Sequence, residues 1–514
     1  MAADTDSEDQ PNRHQDAVDL ARGTGVNLLG NLGKVTRPIT YAFAARVFGA
    51  EALGLFILAW SVVDIISKLA VFGLDVSLVR FVTRRRLKED PEEVYLALGQ
   101  AFTIGIAASL GVTFALTLLA PWIARTLFDK PDLAWPIVVL SLSMPFIAAS
   151  YILLGATKAL RIMRFDIYVR NIIEPFAFLI GVTLSSLIWL DGRGLALAQS
   201  LSFLVSAVAA CVYFGRHFPF GRCLRAMTTS AFRSPLARMA LPVSLYNALN
   251  ILASRLDVLL LGHFLPIDRV GIYGTAKEVA LFIKKFRQAC EPIFLPVVSE
   301  QIQGKEVARL NETLTTAARW TLAVSLPFLG VLIISGDSIL ALYGSAFVAG
   351  ATAAALLAGA NLVNSVFGFS EFVLLMSGRP YLNLINTLLI VIVSGVGGAL
   401  LIPTFEILGP PLALLAAYLL VNTLRLAQVR VLVGVHPLQF GLAKPIVALL
   451  IAIGVSAALQ MWGPGHGHAT AAAGGAVLLL VYAGVLWSMG LSVAEKEILS
   501  RLKRRLGRPG PKGE

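Results

Sequence analysis

Charge is scarce in this sequence. Asp, Glu, Lys and Arg make up 14% of its 514 residues, where a soluble globular chain carries roughly a quarter. Cysteine is scarcer still. Cys211, Cys223 and Cys290 are the only three, too few for a disulfide framework and without metal-site spacing, so they read as packing residues. The alternating apolar pattern of a membrane β-barrel is missing. There is no Walker loop, no Asp-rich catalytic loop and no G-x-S-x-G elbow, so direct use of ATP is not expected. The GHGH run at Gly465–His468 offers His466 and His468, but no third ligand lies nearby, and no metal or other cofactor is expected. Residues 1–23 are polar and lack an apolar h-region, which predicts a disordered cytoplasmic tail and not a signal peptide.

What is present is apolar length. Hydrophobic residues make up 57% of the chain, with a mean hydropathy of +0.76. Many segments stay apolar for about 20 residues, the length that crosses roughly 30 Å of hydrocarbon. Such segments must be helices. The fold class is therefore all-α, a polytopic membrane protein of about 14 transmembrane helices. The expected organisation is an N-lobe of six spans over 24–215, a basic cytoplasmic linker over 216–238, and a C-lobe of six spans over 239–433. A last pair of spans covers 434–490, and a basic amphipathic tail covers 491–514.

The net charge of +12 then belongs to loops, not to a nucleic-acid surface. Lys and Arg collect in alternate gaps: Arg84 to Arg86, then Lys158, Arg161 and Arg164, then Arg216 to Arg238. The positive-inside rule puts both termini in the cytoplasm. In the tail, Ser492 and Glu495 fit a capping box ahead of an apolar face of Val493, Ile498, Leu499, Leu502 and Leu506. That face predicts an interfacial anchor on anionic lipid.

The chain repeats weakly. FGAEALGLFILA at 48–59 parallels GHFLPIDRVGIYGTA at 262–276, so Gly54–Leu55–Phe56 matches Gly271–Ile272–Tyr273, and Lys68 falls opposite Lys285. Two further matches, 122–140 with 338–357 and 155–163 with 377–385, come in the same order. Both halves enter from the cytoplasm, so the repeats are parallel.

Charges inside spans are costly, at roughly 2.5–3.5 kcal/mol near a bilayer centre, and count as functional candidates. Lys34 and Arg37 lie about one turn apart on the first span, with Arg37 roughly 20 Å from its cytoplasmic end. Pro38 follows and frees a backbone carbonyl. Asp64 and Lys68 are spaced to pair on the second span. Asn247, Asn250 and Ser254 form a polar stripe leading to Arg255 and Asp257. The eighth span, about 30 residues long, carries Lys277, Lys284, Arg287 and Glu291 on one predicted stripe, with Glu278 and Lys285 beside it. Pro292 and Pro296 are expected to bend it. Asp64, Asp257, Glu278 and Glu291 can hold or neutralise the cations, or couple an ion. The excess of Lys34, Arg37, Lys68, Arg255, Lys277, Lys284, Lys285 and Arg287 predicts a cationic cavity for an anionic ligand, and phosphate suits both Arg forks and Lys point charges. Glu174 and Glu371, also inside spans, read either as ion-pair partners or as coupling groups.

The stretch LGLFILAWSVVDIISKLAVFGLDVSLVRFV from Leu53 to Val82, RLDVLLLGHF with VGIYGTAKEV, and ILALYGSAFVAGATAAALL resemble the polysaccharide transporter family. These are the oligosaccharide flippases of the multidrug/oligosaccharidyl-lipid/polysaccharide superfamily. The resemblance covers roughly 24–490. It implies two six-helix lobes around a central cavity plus two helices. It also implies alternating access that moves a polyprenyl-diphosphate-linked oligosaccharide, of O-antigen, capsule or exopolysaccharide, from the inner to the outer leaflet of the bacterial cytoplasmic membrane. Such a protein is not an enzyme. Its partners would be the lipid-linked sugar, membrane lipid and polysaccharide polymerase machinery, with no nucleic acid, and a monomer suffices. The competing expectations are a peptidoglycan-precursor (lipid II-like) flippase and a cation-coupled multidrug exporter of the same superfamily. A membrane-embedded polymerase or ligase is disfavoured, because the predicted outer gaps are too short for a catalytic loop.

Overall fold

In hydrocarbon every backbone N–H and C=O must bond within its own segment, and the described residues of this chain meet that demand with helices. The computed structural model describes residues 10–86, 91–160, 162–227, 231, 234–435, 442–462 and 468–489, with side chains from Thr36 onward apart from 83–86, 91, 292–293, 462 and 468–469. No strand occurs among the described residues. The GHGH pair and the tail anchor expected after Ser492 lie outside the described side chains.

The helices run in chain order as α1 Gln10–Val71, α2 Leu74–Arg86, α3 Pro91–Trp122, α4 Ala134–Ser141 and α5 Met144–Ala159. Next come α6 Arg164–Ile167, α7 Glu174–Ser185, α8 Gly192–Gly215, α9 Phe220–Arg225, α10 Pro235–Phe264 and α11 Ile267–Ala280. They continue as α12 Lys284–Gln303, α13 Val307–Ala341, α14 Ala351–Phe367, α15 Phe369–Met376 and α16 Pro380–Phe405. The last are α17 Gly409–Val433, α18 Ala443–Trp462 and α19 His468–Ser488. Helix α1 starts at Gln10, inside the stretch expected to be a polar tail.

Among the described residues, 11 stretches are long and apolar enough to cross a membrane, against about 14 expected. The difference has physical causes. Thr36–Val82 is one stretch, yet Gly49 breaks it with φ 79° and ψ 178°, a conformation that a side chain resists. Pro380–Val433 is likewise one stretch of 54 residues, turned at Glu406–Leu408. The segment Ile267–Gln303 is absent from the set, because its charges lower its hydropathy. The break in α1 lies at Gly49, not at Pro38.

The chain forms two compact units. One comprises Met1–Val279, Leu340–Ala353 and Leu384–Ala417; the other comprises Ala280–Ile339, Ala354–Asn383 and Tyr418–Glu514. In the first unit Leu74, Leu78, Leu98, Ile104, Ile152 and Phe214 form a buried cluster where α2, α3, α5 and α8 meet. In the second, Phe294, Val298, Leu314, Phe369 and Val429 bind α12, α13, α15 and α17 together. Within the second unit Tyr482 also donates to the Ala323 carbonyl at 2.8 Å, which fixes α19 on α13.

The repeat shows itself as a contact in the first unit. A Cβ on Gly54 would strike the Ile267 carbonyl, and one on Gly271 would strike the Ala50 carbonyl. Ala50 and Ile267 each precede a matched glycine by one turn, so the crossing has approximate two-fold symmetry. Small residues permit this backbone-to-backbone approach.

Candidate substrate-binding site

The basic residues singled out from the sequence fall into two groups, one in each unit. In the first unit, Asp64 on α1 faces Arg255 on α10. The Arg255 Nε and Nη2 donate to one Asp64 carboxylate oxygen at 3.1 and 2.9 Å. Both side chains are mostly buried, at 18% and 11% exposure. The expected pairing of Asp64 with Lys68 therefore gives way, because Arg255 occupies the carboxylate. Lys68 instead donates to the Tyr151 hydroxyl at 3.2 Å, and the Tyr151 ring also carries the Arg170 guanidinium 3.7 Å from its centroid.

Asp257 on α10 binds Lys277 on α11 through both carboxylate oxygens at 2.7 Å. Its Oδ2 also accepts from the Tyr273 hydroxyl at 2.7 Å, and its Oδ1 from the Val258 N–H at 2.9 Å. Lys277 further donates to the Ser254 carbonyl. This closed arrangement clamps α10 to α11.

Arg37 differs. Its guanidinium reaches Glu278 at 3.5 Å, and its side chain is 48% exposed. The Tyr41 ring centroid lies 5.7 Å from its guanidinium carbon. Of the described cations in this group, Arg37 has the loosest carboxylate contact and the most open side chain. The side chain of Lys34, a turn earlier, lies outside the described residues.

In the second unit the predicted single stripe does not form. Leu281–Ile283 takes 3₁₀ geometry between α11 and α12, so the helix expected to carry the stripe is not continuous. Helix α12 runs on through Pro292 and Pro296 to Gln303. No proline or glycine marks the triplet, so packing sets it: Ile283 is buried, and the Phe282 ring packs on Phe328 at 5.0 Å. Arg287 donates to Glu291 at 3.1 Å and to the Asn364 carbonyl at 3.2 Å. It also lies 3.8 Å from Glu371, which Arg425 approaches at 3.6 Å. Glu371 is thus an ion-pair partner. Lys284 is half-buried and Lys285 exposed; Lys284 makes no ion pair among the described residues.

Sequence reasoning missed Tyr41, Tyr151, Tyr273, Arg170 and Asp166. The last links Lys158 and Arg170 at 3.0 Å each. Tyr273 carried a signal, since it stands beside the repeated glycine; the others had none.

The chain matches the family described as "Polysaccharide biosynthesis protein" over residues 20–289. It is 22% identical over 420 residues to the "Probable low-salt glycan biosynthesis flippase Agl15" of Haloferax volcanii, covering 77% of this chain and 80% of that protein. A shorter match, 28% identical over 134 residues and 26% of each chain, is to "Stage V sporulation protein B" of Bacillus subtilis. Among solved structures, "Lipid II flippase MurJ, inward closed conformation" has a TM-score of 0.70 at 14% identity, covering 94% of this chain and 100% of that one. An inward-facing multidrug resistance MATE family transporter of the MOP superfamily has a TM-score of 0.65 at 14% identity, covering 78% and 98%. At those identities the likeness is one of fold.

Proposed function

We infer the activity from one premise: this chain belongs to the polysaccharide biosynthesis protein family. It is a multi-pass membrane protein with the helical fold shared by the MurJ and MATE structures, and the relative it matches over most of its length is named a probable glycan biosynthesis flippase. On our reading it moves a polyprenyl-diphosphate-linked oligosaccharide from the inner to the outer leaflet by alternating access. It would do so in a bacterial cytoplasmic membrane with both termini inside. The two six-helix lobes and the terminal pair, with the boundaries given above, are the moving parts of that scheme.

The observation that carries this reading is Arg37, a half-exposed side chain on an apolar helix, 3.5 Å from Glu278. A guanidinium there is expensive unless it meets an anion, and a diphosphate offers a stronger forked acceptor than one distant carboxylate. Lys34 and Lys68 would supplement it from the same helix. Arg255 and Lys277 would engage once the diphosphate competes with Asp64 and Asp257. Lys284, Lys285 and Arg287, on α12 in the second unit, are proposed as further head-group contacts. Of these, Arg287 is best placed to hold Glu291 and Glu371 in order. The polyprenyl tail stays in lipid while the sugar crosses.

The peptidoglycan-precursor reading shares this diphosphate chemistry, so the test must separate substrates. Purified protein in liposomes is given a fluorescent polyprenyl-diphosphate oligosaccharide or, separately, a lipid II analogue, and exposure to an external quencher is followed. Movement of the first, lost in Arg37→Gln, supports the proposal. Movement of lipid II alone favours the precursor flippase, and efflux of a cationic dye alone moves the protein to the drug exporters.

A further inference from the structure

From Gly192 to Leu256 the chain holds no Asp, Glu or Lys, and its charges are all arginines. Three of them, Arg216, Arg222 and Arg225, surround the short helix α9 in the first unit. Arg164, at the start of α6, joins the same cluster through a chain of rings. Its guanidinium lies 5.1 Å from the Phe165 ring centroid, and that ring stacks on Tyr213 at 4.5 Å. Tyr213 carries Arg216 at 5.4 Å from its centroid, and Tyr95 on α3 carries Arg222 at 5.7 Å. All four arginines are exposed. Among the described residues no carboxylate oxygen lies within 4.0 Å of any of them. Asp166, two residues from Arg164, is taken by Lys158 and Arg170 at 3.0 Å each, and Glu92 and Glu93 at the start of α3 do not reach the cluster.

The placing of α9 sorts its side chains. A Cβ on Gly99 of α3 would strike the Ala226 carbonyl, and one on Gly215 would press on the Phe220 ring at 3.0 Å. The segment is therefore seated against α3 and the end of α8, with Cys223 fully buried. Phe220 and Leu224, four residues apart, then share one flank, and Arg222 and Arg225, three apart, share the other. Leu224 is 62% exposed, and Phe220 and Met227 are exposed as well. Helix α8 ends at Gly215 after 24 residues, about 36 Å at 1.5 Å per residue, which is enough to cross hydrocarbon. Arg216 and α9 follow at once, so they lie where the chain leaves the hydrocarbon.

An apolar flank beside an arginine flank at that depth suits a lipid surface. A guanidinium that lies over a ring keeps its N–H edge for an acceptor, and its fork matches two phosphate oxygens. A soluble phosphate would leave Phe220, Leu224 and Met227 in water, whereas acyl chains cover them. We propose that this rim is a binding site for an anionic phospholipid. The headgroup phosphate sits on Arg216, Arg222 and Arg225, and the upper part of the acyl chains lies on Phe220 and Leu224. Arg164 extends the basic rim toward α6. The site requires a membrane protein and is independent of what that protein transports.

The test reads the segment itself. Full-length protein is placed in nanodiscs of phosphatidylcholine, with or without phosphatidylglycerol, and amide hydrogen exchange of residues 216–227 is followed by mass spectrometry. Phosphatidylglycerol should slow that exchange about fivefold or more, and added salt should weaken the effect. The double variant Arg222→Gln with Arg225→Gln should lose the slowing while exchanging like the wild type in pure phosphatidylcholine. Leu224→Ser should reduce it. Arg193→Gln, at the other end of α8 beside Asp191, should leave it intact. Equal exchange in the two kinds of disc overturns the proposal, as does slowing that survives in the double variant. Equal slowing by inorganic pyrophosphate in pure phosphatidylcholine discs, insensitive to Leu224→Ser, assigns the arginines to a soluble anion and overturns the lipid site.

Discussion

Gly54 and Gly271 cross with the backbone nitrogen of each 3.0 Å from the place where a Cβ on the other would sit. The two are matched residues of the internal repeat, so one sequence feature, used twice, makes both sides of a single joint. Farther along, Gly274 takes the Ile57 side chain at the position its own Cβ would fill, and the same spacing makes these two residues equivalents as well.

Gly54→Ala and Gly271→Ala should each destabilise the protein by about 1–3 kcal/mol or more, since the clash is with backbone and cannot be relieved by a rotamer change. Gly111→Ala is the control. Nothing lies within 4 Å of its added methyl, so the change should be neutral or stabilising by up to about 1 kcal/mol through helix propensity. Thermal melts of the three purified variants decide this.

The clamp on Asp257 and the contact at Arg37 should separate in their effects. Lys277→Gln leaves a buried carboxylate without its cation and should cost about 3–5 kcal/mol. Adding Asp257→Asn should restore much of that loss, which a double-mutant cycle on the melting temperature will show. Arg37→Gln breaks a longer and more exposed pair, so the melt should move little while flipping falls.

Glu371 sits between Arg287 and Arg425, and the Arg425 side chain is 3% exposed. Glu371→Gln should therefore cost about 3–5 kcal/mol. Glu291→Gln, which removes only the i, i+4 partner of Arg287 at a site 29% exposed, should cost much less. The ratio of their shifts in denaturation midpoint measures the difference.

Tyr151 serves Lys68 through its hydroxyl and Arg170 through its ring. Tyr151→Phe removes only the acceptor and should cost about 0.5–1.5 kcal/mol. Tyr151→Ala also removes the ring under the guanidinium and should cost about 2 kcal/mol more. Melts of both variants beside the wild type will order them.

Apolar length, scarce charge and paired glycines settled the broad architecture from the sequence alone, because hydrocarbon forces any such segment into a helix. The repeat, too, was legible, since Gly54 and Gly271 leave matching marks in the chain. The identity of the partners was not. Spacing put Lys68 opposite Asp64 on one helix, but Arg255 lies 191 residues away in the chain and reaches Asp64 with two donors, so a through-space fork prevailed over a local ion pair. Periodicity assumed an unbroken α-helix from Lys277 to Glu291, and a 3₁₀ segment at Leu281–Ile283 interrupts it where no proline or glycine marks the place. Glu174 shows the same limit. The chain announces a carboxyl inside an apolar segment, but whether a cation stands beside it is a matter of distance between helices, and only the tertiary structure fixes that distance.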